Sequence, residues 1–77
     1  MKKITAKYIN DNLKNMFLGE RVNHRGATYW VAPTIDDAGT WSTENGTIYY
    51  ISEDRNILGA INGYEYGKVV NGVAYKH

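Results

Sequence analysis

In Asn45-Gly46-Thr47-Ile48-Tyr49-Tyr50, a turn-forming dipeptide is followed by a tyrosine three residues after its glycine. The same spacing recurs after Arg25-Gly26, Asn62-Gly63 and Asn71-Gly72. Asn-Gly is the strongest short hairpin signal, because both residues tolerate the positive φ angles of a type I′ turn. Residues 20–77 are therefore predicted to form β-hairpins that join into an antiparallel meander of five to seven short strands.

The segment before this meander has helical spacing. Between residues 5 and 18, one apolar stripe recurs at helical intervals and consists of Ile9, Leu13, Met16 and Phe17. Thr5 is expected to cap the start of the helix, and Gly19 is expected to end it in a left-handed conformation. The predicted fold class is α+β, with one N-terminal helix packed on the sheet in a single domain spanning residues 1–77.

Strand parity assigns each side chain of the meander to one face of the sheet. Residues one, three and five after each glycine, Tyr49 among them, are predicted to face the helix. Two-residue loops would place Arg21 opposite Trp30 and Trp41 opposite Tyr50 on the other face. The candidate partner-binding site on this outer face therefore consists of Arg21, Trp30, Trp41, Ile48 and Tyr50.

Three arrangements of the outer face are left open by the sequence. A single helix, about 10 Å wide, covers only one side of a sheet, so that an exposed apolar patch can serve a partner. Alternatively, the twisted sheet closes into a small barrel that buries Trp30 and Trp41. In the third arrangement, a homodimer buries the face against itself.

Composition argues against several classes of function. The chain lacks cysteine and has only two histidines: His24, beside which no second group is expected, and His77, the last residue. No catalytic residue, metal site or cofactor is predicted, and an enzyme is not expected. A formal charge of +1 gives little attraction to duplex nucleic acid or to a membrane surface. Without an export signal or membrane span, a cytoplasmic location is expected.

These features predict a small non-enzymatic module that binds a larger host protein or complex, for instance as an inhibitor, since Trp, Tyr and Arg are enriched at binding hot spots. In size and style the chain resembles the accessory proteins that phages and mobile elements encode against host enzymes or defence complexes, anti-CRISPR proteins included; no motif carries this resemblance. One alternative is a single-stranded nucleic-acid-binding module, in which Trp30, Tyr50 and Trp41 stack on bases. Another is a self-assembling structural subunit.

Overall fold

The computed structural model describes residues 2–52 and 63–77, which form one helix and a six-stranded antiparallel sheet. The elements are, in chain order, β1 (Lys2–Lys3), α1 (Lys7–Phe17), β2 (Val22–His24), β3 (Ala27–Ile35), β4 (Trp41–Ser52), β5 (Tyr64–Val70) and β6 (Val73–Lys76). The order across the sheet is β1-β6-β5-β4-β3-β2, so β2 to β6 form a meander and β1 adds to its far edge. The predicted α+β class is confirmed.

Helix α1 packs on one face of the curled sheet through its apolar stripe. Ile9 and Met16 are fully buried, and Leu13 and Phe17 pack against the same core. The helix begins at Lys7 without a side-chain cap, so the predicted cap by Thr5 is wrong.

The end of α1 follows the prediction. Gly19 has a φ of +96°, as a left-handed terminating residue requires. The Gly19 N–H donates to the Met16 carbonyl at 3.1 Å, and the Glu20 N–H donates to the Asn15 carbonyl at 3.1 Å. This pair of bonds is a Schellman motif, which satisfies carbonyls that the helix itself leaves free.

Two of the predicted type I′ turns are present. Arg25 and Gly26 have φ angles of 52° and 79°, and Asn71 and Gly72 have φ angles of 51° and 80°. Each turn joins two neighbouring antiparallel strands, β2 to β3 and β5 to β6. The predicted turn at Asn62-Gly63 includes Asn62, which lies outside the described residues.

The dipeptide Asn45-Gly46 does not turn, contrary to the prediction. Strand β4 runs through it from Trp41 to Ser52, and Gly46 lies opposite Pro33 of β3. A Cβ atom at Gly46 would lie 2.7 Å from the Ala32 carbonyl oxygen. Gly46 is therefore required by close packing between two strands, and not by a positive φ.

The connection between β3 and β4 is instead a loop at residues 36–40. Asp36 Oδ1 accepts hydrogen bonds from the backbone N–H of Ala38 at 2.9 Å and of Thr40 at 2.8 Å. Gly39 completes the loop with a φ of +83°. Asp36 thus caps this loop, and Thr34 is still part of β3.

The different turn reverses the two faces of β4. Residues directly opposite each other on paired strands share a face, and Tyr50 lies opposite Tyr29 while Ile48 lies opposite Val31. Ile48 is completely buried, and Tyr50 packs against the core beneath α1. The predicted placement of Ile48 and Tyr50 on the outer face is therefore wrong. Tyr49, predicted for the core, faces away from the helix.

A bulge in β5 changes the parity a second time. Ile48 pairs with Gly67 and Tyr49 pairs with Glu65, so that Tyr66 is an extra residue on β5. The residues beyond the bulge exchange faces relative to the prediction. On the helix side are Val69 and Ala74, both buried, and on the outer side are Lys68 and Tyr75.

Candidate functional site

Arg21 and Trp30 lie together on the outer face, as the sequence predicts. The Arg21 guanidinium carbon is 5.5 Å from the centroid of the Trp30 ring. Trp30 also stacks with Tyr49, with ring centroids 6.0 Å apart and planes inclined by 23°. Gly63 packs against the same indole, since a Cβ there would lie 2.6 Å from Cη2. Trp30 is half-buried among these neighbours, so its ring faces are largely occupied.

Tyr50 belongs to a cluster of tyrosines on the helix side of the sheet. Its ring centroid lies 5.8 Å from that of Tyr29, 5.9 Å from that of Tyr66 and 5.7 Å from that of Tyr64. Burial raises the pKa of both Tyr29 and Tyr66, because the phenolate is disfavoured away from water. Tyr50, like Ile48, therefore serves the core, and neither adds to an exposed outer surface.

Trp41 is exposed, as predicted, but in a different setting. The hairpin of β3 and β4 continues past Gly46 and Val69, the last pair between β4 and β5. This extension, residues 34–45, is called the Trp41 arm below. Ile35 and Trp41 face each other across it and are 54% and 63% exposed. The arm therefore presents an apolar cross-strand pair to solvent.

Hydrogen bonds fasten the base of the Trp41 arm, where the register between β3 and β4 shifts between Pro33 and Ile35. The Ser42 hydroxyl oxygen accepts from the N–H of Glu44 at 3.1 Å and of Asn45 at 2.9 Å. The Asn45 side-chain oxygen accepts from the Asn71 N–H at 3.1 Å, and the Gly72 N–H donates to the Glu44 carbonyl at 2.9 Å. The arm is thus tied to the turn between β5 and β6.

The charges on the Trp41 arm are all negative. Asp36, Asp37 and Glu44 are its charged residues, and all three are exposed. The sequence contains no lysine or arginine between Gly26 and Asp54. An exposed apolar pair is therefore bordered by carboxylates with no cation of the same hairpin to offset them.

An apolar groove of about 460 Å³ adjoins the arm. Leu13, Phe17 and Leu18 from the end of α1 line it, with Lys14 at its border, and Leu18 is 74% exposed. A second cleft is lined by residues of the arm itself, Ile35 and Trp41 among them, and Thr43 lines both this cleft and the groove. The arm and the groove therefore form one continuous surface, of the kind that marks contact sites on small proteins.

Ile35, like Leu18 of the groove, was not among the predicted site residues. Its exposure follows from its position opposite Trp41, which depends on the loop at residues 36–40. The sequence does contain a signal for that loop. Asp36 and Gly39 are residue types common in hairpin loops, and the apolar residues Ile35 and Trp41 stand on either side of the loop. The predicted partner for Trp41, Tyr50, lies on the opposite side of the sheet.

The two histidines lie in separate places. The His24 ring stacks on the Tyr8 ring with centroids 3.7 Å apart, and His77 Nε2 lies 2.7 Å from Glu65 Oε2 on the outer face. Within residues 2–52 and 63–77, no three His, Cys, Asp or Glu side chains are grouped so that they could hold a metal ion. No helix in the same ranges has the length and apolarity needed to cross a membrane.

Comparison with known proteins gives no relative for this fold or site. No protein-family model, no curated protein and no solved structure matches the chain. The interpretation of the Trp41 arm therefore rests on its own geometry and charge.

Proposed function

We propose that this chain is a non-enzymatic protein-binding domain that inserts the Trp41 arm into a larger protein and inhibits it. The exposure of Trp41 carries the proposal. An indole held in water at the end of a fastened hairpin gains free energy when a partner buries it, and tryptophan is among the residues most enriched at binding hot spots. Ile35 beside it adds a second apolar contact.

The charges of the arm support a partner with a basic surface around an apolar pocket. Asp36 and Glu44 line the same cleft as the apolar pair, and Asp37 follows in the adjoining loop. Complementary charges raise the association rate and select the partner. Basic clefts on enzymes attract anionic substrates. An acidic arm seated in such a cleft would exclude the substrate, which is how a chain of this size could inhibit a much larger host enzyme or complex.

The groove at the end of α1 supports a contact larger than the arm alone. Leu18 and the half-buried Leu13 and Phe17 offer a concave apolar wall beside the arm. A partner that binds Trp41 would therefore contact both the protruding indole and the apolar groove on one surface. Interfaces combine such anchors with a polar border that excludes water.

The experiment compares capture from the lysate of the native host by matched variants. The bait proteins are the wild-type chain, Trp41→Ala, the pair Asp37→Asn with Glu44→Gln, and the control Asp11→Asn. We expect one protein to be retained by the wild type and the control and lost by the first two variants. Binding of that purified protein should weaken about 30-fold with Trp41→Ala, equal to about 2 kcal/mol.

Two further measurements make the test decisive. Trp41→Ala should melt at nearly the wild-type temperature, because an exposed side chain contributes little to stability. The captured protein, if it is an enzyme, should lose activity when the wild-type chain is added in stoichiometric amount. Equal capture by the wild type and both arm variants would refute the proposal that the arm binds a partner. Binding without loss of the partner's activity would refute the proposal that the chain is an inhibitor.

A homodimer is the competing occupant of the same surface. In that arrangement, Trp41 of one copy would enter the groove beside Leu18 of another copy. Light scattering over a concentration series distinguishes the two arrangements. The proposed function predicts a monomer at all concentrations. Self-association predicts a mass that rises with concentration in the wild type and stays at the monomer value in Trp41→Ala.

The nucleic-acid alternative has less support from the geometry. Base stacking needs free aromatic faces, yet Trp30 is already packed against Arg21, Tyr49 and Gly63. Trp41 is exposed but shares its cleft with the carboxylates of Asp36 and Glu44, which repel phosphates. Titration of an oligothymidylate at low and high salt checks this alternative, and we expect no salt-dependent quenching of tryptophan fluorescence.

A further inference from the structure

Strand β1 places like charges directly opposite each other at one edge of the sheet. Lys2 lies opposite Lys76, and Lys3 lies opposite Tyr75. Like charges at directly opposed positions destabilise a strand pair. Within the described residues, none of these three lysines forms an ion pair, since the only lysine that does so is Lys7, with Asp11. The edge therefore holds uncompensated positive charge.

These lysines border a small recess of about 200 Å³. Thr5 and Tyr66 are also among its lining residues, and no carboxylate lines it. The Lys76 ammonium lies 5.4 Å from the centroid of the Tyr66 ring, which holds it beside the recess. The recess thus combines the ammonium groups of Lys2 and Lys76 with a hydroxyl group, which are donors for an oxyanion, while Lys3 lies opposite Tyr75, on the outer face.

The size and charge of the recess narrow the class of ligand. Sites for drug-sized molecules occupy about 300–1,000 Å³, so this recess suits a single small group better than a whole nucleotide. Lysine binds phosphate as a compact point charge, and the two lysines Lys2 and Lys76 match a dianion better than a monoanion. The recess also lies at the end of the sheet opposite the acidic Trp41 arm, where β6 ends and β1 begins.

We propose that the recess between β1 and β6 binds a phosphate-type dianion, either the free ion or the terminal group of a phosphate monoester. The anion lies between Lys2 and Lys76 and removes their mutual repulsion. The Thr5 hydroxyl group completes the contacts. This site is independent of the Trp41 arm, so that either one can exist without the other.

The test is an NMR titration of the full chain with inorganic phosphate at pH 8, where phosphate carries about two negative charges. Sodium chloride at matched ionic strength is the blank. We expect saturable shifts of the backbone amides of Thr5 and Lys76 with phosphate and none with chloride. Glycerol 3-phosphate distinguishes a monoester from the free ion, and dimethyl phosphate, a monoanion, should bind more weakly than either.

Two charge-removing variants are matched to a third that lies outside the recess. Lys76→Met and Lys2→Met should each weaken phosphate binding about tenfold, while Lys14→Met on α1 should leave it unchanged. The unliganded spectrum of each variant shows whether it folds, and one folded recess variant suffices for the comparison. Shifts that do not saturate, that chloride reproduces, or that survive both recess variants would overturn the proposal.

Discussion

The dipeptides Asn45-Gly46 and Asn71-Gly72 have the same composition and opposite roles. Asn71 and Gly72 both have positive φ angles and reverse the chain between β5 and β6. Gly46 lies inside a twelve-residue strand, pressed against β3. The two dipeptides are also bonded to each other, through the Asn45 side chain and the Asn71 N–H. A turn propensity therefore acts only where the strands on both sides of it pair with each other.

The neighbours of Asn45-Gly46 explain why it stays extended. Asp36 closes a hairpin nine residues earlier in the chain, with its carboxylate accepting two backbone N–H groups. That loop allows β4 to pair with β3 over its second half, from Gly46 to Ser52. A turn at Asn45-Gly46 would give up this pairing and would place Ile48 in solvent. The burial of Ile48 outweighs the preference of one dipeptide.

The largest expected effect on stability comes from truncating one side chain on each face of β4. Ile48→Ala should reduce the free energy of unfolding by about 4 kcal/mol, because it leaves a cavity in the core. Tyr49→Ala should reduce it by about 2 kcal/mol, since it removes only a half-buried ring stacked on Trp30. Urea denaturation measures both. A larger loss for Tyr49→Ala than for Ile48→Ala would mean that Asn45-Gly46 is the turn after all.

A smaller effect is expected from adding a methyl group to each glycine. Gly46→Ala should cost about 3 kcal/mol, because the new Cβ would meet the backbone of Ala32 and the Val31 side chain at 2.7 Å and 2.9 Å. Gly72→Ala should cost about 1 to 2 kcal/mol, since it adds only the strain of a left-handed alanine in open space. Thermal unfolding of the two variants in parallel gives the order. Equal costs would remove the distinction between a packed glycine and a turn glycine.

The smallest effect concerns the alkaline limit of stability. Burial raises the pKa of Tyr29, which lies opposite Tyr50 only because β4 is extended. Above about pH 10 the unfolded chain loses this phenol proton while the folded chain keeps it. Stability should therefore be constant below that pH and decrease as pH rises toward the folded pKa. Tyr29→Phe should show a shallower decrease between about pH 9 and 11, measured by urea denaturation at each pH, and an identical slope would contradict this assignment.

Most features that local sequence determines were predicted correctly, although the cap by Thr5 was not. The stripe of Ile9 and Met16 repeats every few residues within one helix, and Gly19 ends that helix through bonds to its own last turn. The turn at Asn71-Gly72 joins strands that are adjacent in sequence. Each of these depends on residues a few positions apart, where periodicity and backbone preference suffice.

The features that depend on distant pairing were not predictable in the same way. Each inserted residue exchanges the two faces of the strand beyond it. No particular residue type in the sequence marks the bulge at Tyr66. The exposure of Trp41 was predicted, but its predicted cross-strand neighbour, Tyr50, lies on the other side of the sheet. The predicted placement of Arg21 over Trp30 is confirmed, because it depends on a single two-residue turn at Arg25-Gly26. The binding role of these residues stays a prediction.

The hydrogen bond from Asn71 to Asn45 bears on how tightly a partner can be held. A free hairpin loses conformational entropy when it is immobilised in a complex, at about 0.5–1.5 kcal/mol for each ordered side chain that is rich in rotamers. The Trp41 arm is already restrained at its base before any encounter. Its indole is therefore preorganised, and more of the energy gained by burying it remains as affinity.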